Sequence, residues 1–388
     1  MFLTATNIYF YLRDVGLIDA GDIADEAYWV REIGRRNRNF HIIRSPGRSL
    51  FVKQVPAVIA ETSLSFAREA ACAQLALQDS ACASLRAVMP VLRRYDDRRH
   101  VLVYEAIDDG ASLTEWIARH GEVGEAVTDA LAATLAAIHG ETRANGTVAA
   151  LAPVLSGEPP WIFIIGEQAE TVMPNMSGGV REVVAQLRAM PELLHGLSQL
   201  GQQWPRRCLT HGDMKFDNVM VVERGDERAL RLIDWELGNL GDPLWDVAGA
   251  ICAYFQLWLL RQPTHALQGV AELAARHEVK RDAQRFWAVY RGASGSLGDE
   301  AETLRLGYLC GARLALLAFE LLASAPAMTP HAQAALHCAR YCFADTRAAL
   351  RDLLGLHSGI AGADTVPVQL PSRERSPWTL APTARVAA

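Results

Sequence analysis

The chain has 388 residues, half of them apolar, and can therefore bury a large core; we expect a soluble globular protein with more than one lobe. Its 38 basic and 44 acidic residues give a formal charge of −6, which argues against the basic surface that nucleic-acid partners require. Seven scattered cysteines lack the spacing of a zinc site and predict reduced thiols in a cytoplasmic protein.

Targeting and membrane signals are absent from the pattern. The N-terminus lacks the basic, apolar and small-residue order of a signal peptide. The two most apolar stretches, residues 244–260 and 308–323, are interrupted by charge: Asp246 in the first, Arg313 and Glu320 in the second. We therefore expect no membrane span and no membrane partner.

The first 105 residues predict a short helix followed by a β-rich region. Residues 4–18 have the pattern of an amphipathic helix ended by Gly16, which would pack on a small lobe. We assign residues 1–27 to an N-terminal helical extension and residues 28–105 to a small nucleotide-binding lobe with two hairpins around one helix. The predicted strands are 39–44, 49–55, 88–93 and 100–105, and the predicted helix is 63–78.

The rest of the chain predicts helices. Apolar residues recur at helical spacing after residue 113, and several helices fill the later part, so residues 106–355 are expected to form a helical catalytic lobe. Within it, residues 141–206 have proline and glycine punctuation and no readable function. Residues 356–388 lack an apolar period and predict a disordered tail. The fold class predicted is α+β.

The most informative segment is His-Gly-Asp-Met-Lys-Phe-Asp-Asn at residues 211–218. Asn218 follows Asp213 by five residues, and Asp234 ends the second apolar strand pattern after it. Phosphoryl transfer in kinase-like folds needs this spacing, because one Asp deprotonates the attacking hydroxyl while the Asn and the second Asp hold Mg²⁺. Each residue is also common in turns and caps, but acids clustered at strand ends repel one another unless a cation is present.

These residues resemble the aminoglycoside/choline phosphotransferase family of protein-kinase-like enzymes. That family has His-Gly-Asp where protein kinases have His-Arg-Asp, and follows the metal-binding Asp with Gly-Asp-Pro-x-x-Asp, here residues 241–246. The resemblance extends from residue 28 to residue 350 and is highly specific over residues 211–246. It implies a bilobal protein-kinase-like fold and transfer of the γ-phosphoryl group of ATP or GTP to a hydroxyl group.

The resemblance also implies roles for single residues. Asp213 would be the catalytic base, and Asn218 and Asp234 would be the Mg²⁺ ligands. Lys215, shared with protein kinases, would meet the γ-phosphoryl group as charge develops there. The alternative for Lys215 is a surface lysine in a turn.

On the nucleotide side, Lys53 matches the lysine that holds the α- and β-phosphates; its alternative is a solvated strand lysine. A lysine in that role needs a carboxylate partner, and we choose Glu69 over Glu61 because Glu69 lies inside the predicted helix. Backbone groups of Glu105 and Ile107 match the hinge that binds adenine.

Three further residues have supporting roles. The resemblance makes Asp246 the buried acid that braces the catalytic loop, and His211 orients the same loop. Asn37 lies in a phosphate-covering segment, residues 33–40, that has one glycine and three arginines in place of a glycine-rich loop. Backbone N–H groups there, with Asn37, would approach the phosphates. Trp235 and Glu236 either frame the substrate entrance or form a plain turn.

The acceptor stays open between two classes. Residues 157–161 (Gly-Glu-Pro-Pro-Trp) and 234–236 resemble a branch associated with modified-peptide biosynthesis, where Ser or Thr of a precursor peptide is phosphorylated and a separate lyase follows. That acceptor requires an open cleft lined by residues 141–206, with groups such as Trp161. A small amino sugar or amino alcohol requires a compact acid-lined pocket closed by the same region. A catalytically silent pseudokinase scaffold is the alternative outside enzymes; a P-loop enzyme is excluded because the motif is absent.

Overall fold

The computed structural model describes residues 2–24, 28–34, 38–45, 47–55, 60–225, 227–270, 274, 279–295 and 299–357. Asn37 and nearly all of the predicted tail, from residue 358 onward, lie outside the described residues.

The small lobe is built on a five-stranded antiparallel sheet. Its strands are β1 Trp29–Gly34, β2 Arg38–Ile43, β3 Leu50–Gln54, β4 Leu92–Asp96 and β5 Val101–Glu105. Their order across the sheet is β1-β2-β3-β5-β4. Alternate residues such as Phe40, Val52 and Val103 are fully buried on one face, as the period of two in a strand requires. Lys53, next to Val52, therefore points to the opposite face, which meets the cleft.

The N-terminal extension covers the outer face of this sheet. It contains α1 Ile8–Asp14 and α2 Ala20–Ala24. Leu3, Ile8 and Leu12 are completely buried in one cluster with the outward-facing strand residues. The helix is shorter than the predicted 4–18 and ends just before Gly16, which has φ +75°, a conformation that glycine adopts without strain.

Two helices pack on the cleft side of the small lobe. They are α3 Ala60–Gln78, which carries Glu69, and α4 Ala83–Val88. The strand predicted to begin at residue 88 was wrong at its start, because Val88 is the last residue of α4 and β4 begins at Leu92. Pro90 explains the boundary: it pushes Met89 into the extended region and so ends the helix.

The large lobe is mostly helical, with two small sheets beside the cleft. One sheet has order β6-β8-β9, with β6 Gly110–Ser112, β8 Val219–Arg224 and β9 Glu227–Leu232, and the other pairs β7 Cys208–Thr210 with β10 Asn239–Gly241. The helices are α5 Leu113–His120, α6 Glu125–Thr142, α7 Gly146–Ala150, α8 Ile165–Val172, α9 Gly178–Arg188, α10 Pro191–Gln202, α11 Pro243–Leu260, α12 Val279–Ser294, α13 Glu300–Leu322, α14 Pro330–Ala344 and α15 Thr346–Ala349. This arrangement confirms the predicted α+β class with a β-rich small lobe and a helical large lobe.

The small sheets position the motif residues. Residues 211–218 connect β7 to β8, and Asp234 follows β9 by two residues. Because β8 and β9 are antiparallel neighbours, with Val219 opposite Leu232, the end of the loop and the start of the Asp234 turn are adjacent. The Ile233 N–H donates to the Asn218 carbonyl at 3.0 Å.

Helix α11 is the one helix in the described part of the chain with the length and apolarity to cross a membrane. Of its residues, 83% are buried inside the protein, including Asp246, so its apolarity is that of a core helix.

Candidate active site

The catalytic loop is anchored by a buried carboxylate. Asp246 Oδ2 accepts the His211 N–H at 2.6 Å, and its Oδ1 accepts the Gly212 N–H at 2.9 Å. His139 Nε2 lies 3.2 Å from the same carboxylate and its Nδ1 is 2.9 Å from the Tyr290 hydroxyl. Burial acts to raise the pKa of Asp246, but the hydrogen bonds from His139 and the His211 N–H hold it below its usual value. Asp246 therefore stays ionised and fixes the start of the loop.

His211 and Asn218 hold the loop from inside. The His211 Nε2 is 2.9 Å from the Ile233 carbonyl, so Nε2 carries the proton and Nδ1 accepts the Asp213 N–H at 3.3 Å. Asn218 Nδ2 donates to the Asp213 carbonyl at 2.8 Å and to its Oδ2 at 3.1 Å. Because the amide nitrogen of Asn218 is engaged, its carbonyl oxygen is the atom that a metal would bind.

Gly212 is required between His211 and Asp213. Its φ is +80°, and a Cβ there would lie 2.3 Å from the Leu237 carbonyl oxygen. A side chain would collide with backbone, which cannot move aside as a flexible side chain can. The His-Gly-Asp sequence thus allows the loop to pass close to the turn after Asp234.

Asp213 lies next to two cations. Lys215 Nζ is 2.6 Å from its Oδ2, and the side chain of Asp213 is 15% exposed. Burial acts to raise the pKa of Asp213, but the charges of Lys215 and Arg313 hold it below its usual value. An ionised carboxylate that still reaches the cleft can accept a proton from an acceptor hydroxyl.

On the nucleotide side, Lys53 is the centre of a carboxylate cluster. Its Nζ is 2.6 Å from Glu69 Oε2, 2.6 Å from Asp234 Oδ1 and 3.4 Å from Glu236 Oε2. Burial acts to lower the pKa of Lys53, but the three carboxylates raise it well above its usual value. The Tyr104 hydroxyl donates to Glu69 Oε1 at 3.2 Å, so Glu69 is fixed from two sides.

Three carboxylates meet where the metal is expected. Glu69, Asp234 and Glu236 each present an oxygen, and these oxygens lie within 4.8 Å of one another. Asp234 has φ +65°, which turns the chain sharply after Ile233 and directs its 39%-exposed carboxylate into the cleft. Carboxylate and amide oxygens are the ligands that Mg²⁺ prefers, so the donor set fits the ion. Glu236 lies in this cluster, although its position in the sequence predicts only an entrance or turn role.

Trp235, between these acids, adopts the turn alternative. It is 1% exposed, and its Nε1 donates to the Leu232 carbonyl at 2.9 Å. Trp235 therefore belongs to the core and does not frame a substrate entrance.

The hinge residues occupy the end of the sheet. The Glu105 N–H donates to the Val91 carbonyl at 2.9 Å, and the Glu105 side chain pairs with Arg93. The N–H of Glu105 is thus engaged, which makes its carbonyl the backbone group that adenine would meet. Ile107 lies two residues beyond β5 and is half-buried.

A small pocket of about 20 Å³ opens beside Lys215 on the large-lobe side. Its wall includes Arg313 and Glu320 of α13, two charged residues for which the sequence predicts no functional role. They are seven residues apart, so they lie on one face of the helix. Two charges at this spacing in an otherwise apolar helix are the signal that could have identified them as candidate site residues. The remaining lining residues are Met214, Gly249, Cys252, Gln256, Leu316 and Leu317.

Glu320 stands out among the acids near the loop. It lies at the mouth of the pocket, and its carboxylate has no hydrogen bond or ion pair within the described residues. Loss of solvent around its carboxylate raises its pKa, an effect that the charges of Lys215 and Arg313 oppose. An anionic group without a partner is therefore available to a cationic ligand.

Residues 141–206 support the cavity from behind. None of the residues that line the cavity belongs to this region. Trp161 packs edge-on against Phe319, with ring centroids 5.2 Å apart, and the Gly179 N–H donates to the Ala325 carbonyl at 3.0 Å. The region thus fixes α13, which carries the cavity wall, and it does not itself form an open cleft at this cavity.

Among curated proteins, the chain is similar to acyl-CoA dehydrogenase family member 10 of Mus musculus, with 39% identity over 67 residues. The match covers 17% of this chain and 6% of that protein, so the chain spans a small part of this relative.

Solved structures share the fold at low identity. The choline kinase LicA from Streptococcus pneumoniae has TM-score 0.53 and 14% identity, with 87% of this chain and 98% of that chain covered. LicA in complex with AMP has TM-score 0.53 and 15% identity, with 88% and 98% covered. The choline kinase from Cryptosporidium parvum has TM-score 0.50 and 14% identity, with 90% and 97% covered. These matches confirm the predicted protein-kinase-like fold.

The match to a whole family decides the identity. The phosphotransferase enzyme family, APH, matches residues 30–287, which is well over half of the chain and includes the loop, the Lys53 cluster and the turn at Asp234. The resemblance read from His-Gly-Asp and the residues after it is confirmed. The chain belongs to the phosphotransferase enzyme family.

Proposed function

We propose that this protein transfers the γ-phosphoryl group of ATP, with Mg²⁺, to a hydroxyl group of a small cationic molecule such as an amino alcohol or amino sugar. The observation that carries this proposal is the unpaired Glu320 carboxylate in a cavity that begins at Lys215. A carboxylate without a protein partner attracts an ammonium group most strongly where solvent is reduced.

In this proposal, residues 28–105 bind the nucleotide and residues 106–355 carry the chemistry. Lys53, held by Glu69, contacts the α- and β-phosphates, and the Glu105 carbonyl contacts adenine. Asn218 and Asp234 hold Mg²⁺, with Glu236 close enough to contribute an oxygen. When bound, the ion would neutralise charge on the phosphates.

The proton leaves the acceptor through Asp213. An acceptor whose ammonium group pairs with Glu320 has its hydroxyl directed toward the loop, where Asp213 Oδ accepts the proton. The new O–P bond forms as the bond from the γ-phosphorus to the β,γ-bridging oxygen of ATP breaks, and ADP leaves. Lys215 lies 2.6 Å from that carboxylate and contacts the γ-phosphoryl oxygens as their charge develops. Holding the acceptor hydroxyl close to Asp213 and to the γ-phosphoryl group is itself a large part of catalysis in phosphoryl transfer.

The other acceptor class is the Ser or Thr of a precursor peptide, with a separate lyase acting afterwards. Residues 141–206 are expected to contribute to the acceptor site in both classes, but the pocket wall comes from the loop, α11 and α13. The choice between the two classes therefore rests on the Glu320 carboxylate. A silent scaffold is disfavoured because Lys53, Asp213, Asn218 and Asp234 occupy one cleft with the contacts described above. We place the enzyme in the cytoplasm, since all seven cysteines are free and buried.

A substrate panel tests the proposal. The protein is incubated with ATP and Mg²⁺ and one of four acceptors: an amino alcohol, an amino sugar, a neutral polyol or a Ser- and Thr-containing peptide. ADP release and product mass are measured, with GTP and metal-free arms in parallel. We expect phosphorylation of the cationic small molecules and none without Mg²⁺. Phosphate on the peptide or polyol alone would contradict the assigned acceptor class, and transfer without a divalent ion would contradict the metal.

A further inference from the structure

Arg313 contacts the catalytic loop although it is about a hundred residues away in sequence. Its Nη2 donates to the Met214 carbonyl at 2.6 Å, and its Nη1 is 3.4 Å from the Gly212 carbonyl. These two carbonyls belong to the residues on either side of Asp213. Trp245 Nε1 donates to the same Gly212 carbonyl at 2.8 Å, and the guanidinium lies 4.7 Å above the Trp245 ring.

The charge of Arg313 is buried without an acidic partner in contact. Arg313 is only 8% exposed, and its guanidinium has no ion pair within the described residues. Burying a guanidinium in this way is costly, and an apolar side chain would fill the same space at lower cost. Beyond packing, the arginine therefore contributes its hydrogen bonds to the loop and the charge that helps to hold the pKa of Asp213 below its usual value.

Gly249 gives an independent indication. A Cβ at this position of α11 would lie 2.5 Å from the Met214 carbonyl oxygen and 2.6 Å from Arg313 Nη2. Any side chain there would occupy the place where the guanidinium meets the loop. Glycine inside a helix is otherwise unfavourable, so its presence fits a requirement for this contact.

We propose that Arg313 is a positioning residue that fixes the Asp213 carboxylate by binding the carbonyls of Gly212 and Met214. The same guanidinium forms part of the cavity wall, so the catalytic loop and the acceptor cavity share one rigid boundary. Asp246 holds the N–H groups at the start of the loop, and Arg313 holds the carbonyls around its centre. This inference rests on the proposed role of Asp213 as the base.

The test uses three variants with matched controls. Arg313→Met removes the hydrogen bonds and keeps the apolar stem, Arg313→Lys keeps the charge and can reach one carbonyl, and Gly249→Ala leaves Arg313 in place but obstructs its contact. The first control is Arg285→Met, which removes an arginine of α12 that pairs with Asp129 of α6. The second is Gly140→Ala in α6, where a Cβ meets nothing within 4 Å.

Two readouts are measured on each protein. The first is steady-state phosphoryl transfer together with the dissociation constant of Mg²⁺-ATP. The second is hydrogen–deuterium exchange of the peptide covering residues 208–222, which needs no acceptor. We expect Arg313→Met and Gly249→Ala to lower kcat by up to about 10²-fold, the cost of a small misplacement of a reacting group. ATP affinity should be unchanged, exchange of that peptide should be faster, and Arg313→Lys should recover part of kcat.

Two results would overturn the inference. One is a folded Arg313→Met protein whose kcat and loop exchange both match those of the unaltered protein. The other is a kcat loss that is matched by equal losses in ATP binding and in exchange across the whole chain, since that marks general destabilisation. If Arg313→Met does not fold, Arg313→Lys and Gly249→Ala decide in the same way. If the unaltered protein phosphorylates no acceptor, the proposed function fails, and loop exchange still decides the role of Arg313.

Discussion

The nucleotide side and the acceptor side of the cleft differ in whether their charged side chains are paired with groups of opposite charge. On the nucleotide side, Lys53 contacts three carboxylates, and each charge has a partner within the protein. On the acceptor side, the Glu320 carboxylate has no hydrogen bond or ion pair within the described residues, and Arg313 binds carbonyls in place of an acid. The paired cluster is suited to a ligand that brings its own metal and phosphates, whereas the unpaired acid is suited to a ligand that brings a positive charge.

Asp213 is the proposed base where the acceptor meets the γ-phosphoryl group, so its removal should have the largest effect. We expect Asp213→Ala to lower kcat by roughly 10²- to 10⁴-fold, the range for a lost general base. ATP affinity should be little changed, because the Lys53 cluster does not include Asp213. Steady-state kinetics and calorimetric ATP titration are the measurements.

Asp217→Ala is the matched control for this variant, because Asp217 is an exposed acid of the same loop. It should retain turnover close to that of the unaltered enzyme. Near-normal turnover by Asp213→Ala would remove the central mechanistic proposal.

The nucleotide side can be tested alone through Asp234→Asn. The amide keeps the shape but removes the charge that we assign to Mg²⁺ binding, while Glu69 remains to hold Lys53. We expect the gain in ATP affinity on adding Mg²⁺ to fall by about tenfold or more, equivalent to about 1.4 kcal/mol. Calorimetry with and without Mg²⁺ measures it; an unchanged metal dependence would show that the ion is held elsewhere.

The sequence could predict the nucleotide side because its residues lie in short motifs. His-Gly-Asp, the Asn five residues later and the Asp after the second strand are positioned by local geometry. Gly212, at φ +80°, is part of it, because a side chain there would collide with the Leu237 carbonyl. Even Glu69 followed from its place inside a helix. Glu236 was missed as a member of the cluster because a turn residue beside a metal ligand has no distinctive spacing.

The acceptor side could not be predicted in the same way. Arg313 and Glu320 reach the loop only through the packing of α13 on α11, a tertiary contact that no local pattern encodes. Their charges were visible in an apolar stretch, but the sequence does not say which loop a helix face meets. The periodicity of apolar residues predicts the fold class. The predicted start of β4 is wrong because Pro90 ends α4 and the strand begins only at Leu92.

Glu320→Gln tests whether the acceptor side recognises charge. The amide can still accept a hydrogen bond but loses the ionic part of the interaction, which corresponds to about 1 to 2 kcal/mol. We expect KM for a cationic acceptor to rise by about tenfold while KM for ATP is unchanged. Glu300→Gln, at the exposed start of the same helix, is the control and should change neither constant. Equal KM values for Glu320→Gln and the unaltered enzyme would exclude Glu320 from acceptor binding.

The smallest expected effect is on the nucleotide side, where Tyr104 donates a hydrogen bond to Glu69 at 3.2 Å. Tyr104→Phe keeps the ring in place and removes one donor from a buried carboxylate that Lys53 still holds. A lost hydrogen bond to a buried group costs about 1 kcal/mol, so KM for ATP should rise by only a few-fold and the free energy of unfolding should fall by a similar amount.

Tyr95→Phe is the control for that variant, because the Tyr95 hydroxyl donates to Asp97 at 3.0 Å at an exposed site and does not contact Glu69 or Lys53. Kinetics at varied ATP and at varied acceptor, with urea unfolding of each variant, provide the comparison. A rise in KM for the acceptor with no change for ATP would contradict the separation of the two sides. A rise in KM for ATP alone would show that the hydrogen bond from Tyr104 to Glu69 supports ATP binding and does not affect the acceptor site at Glu320.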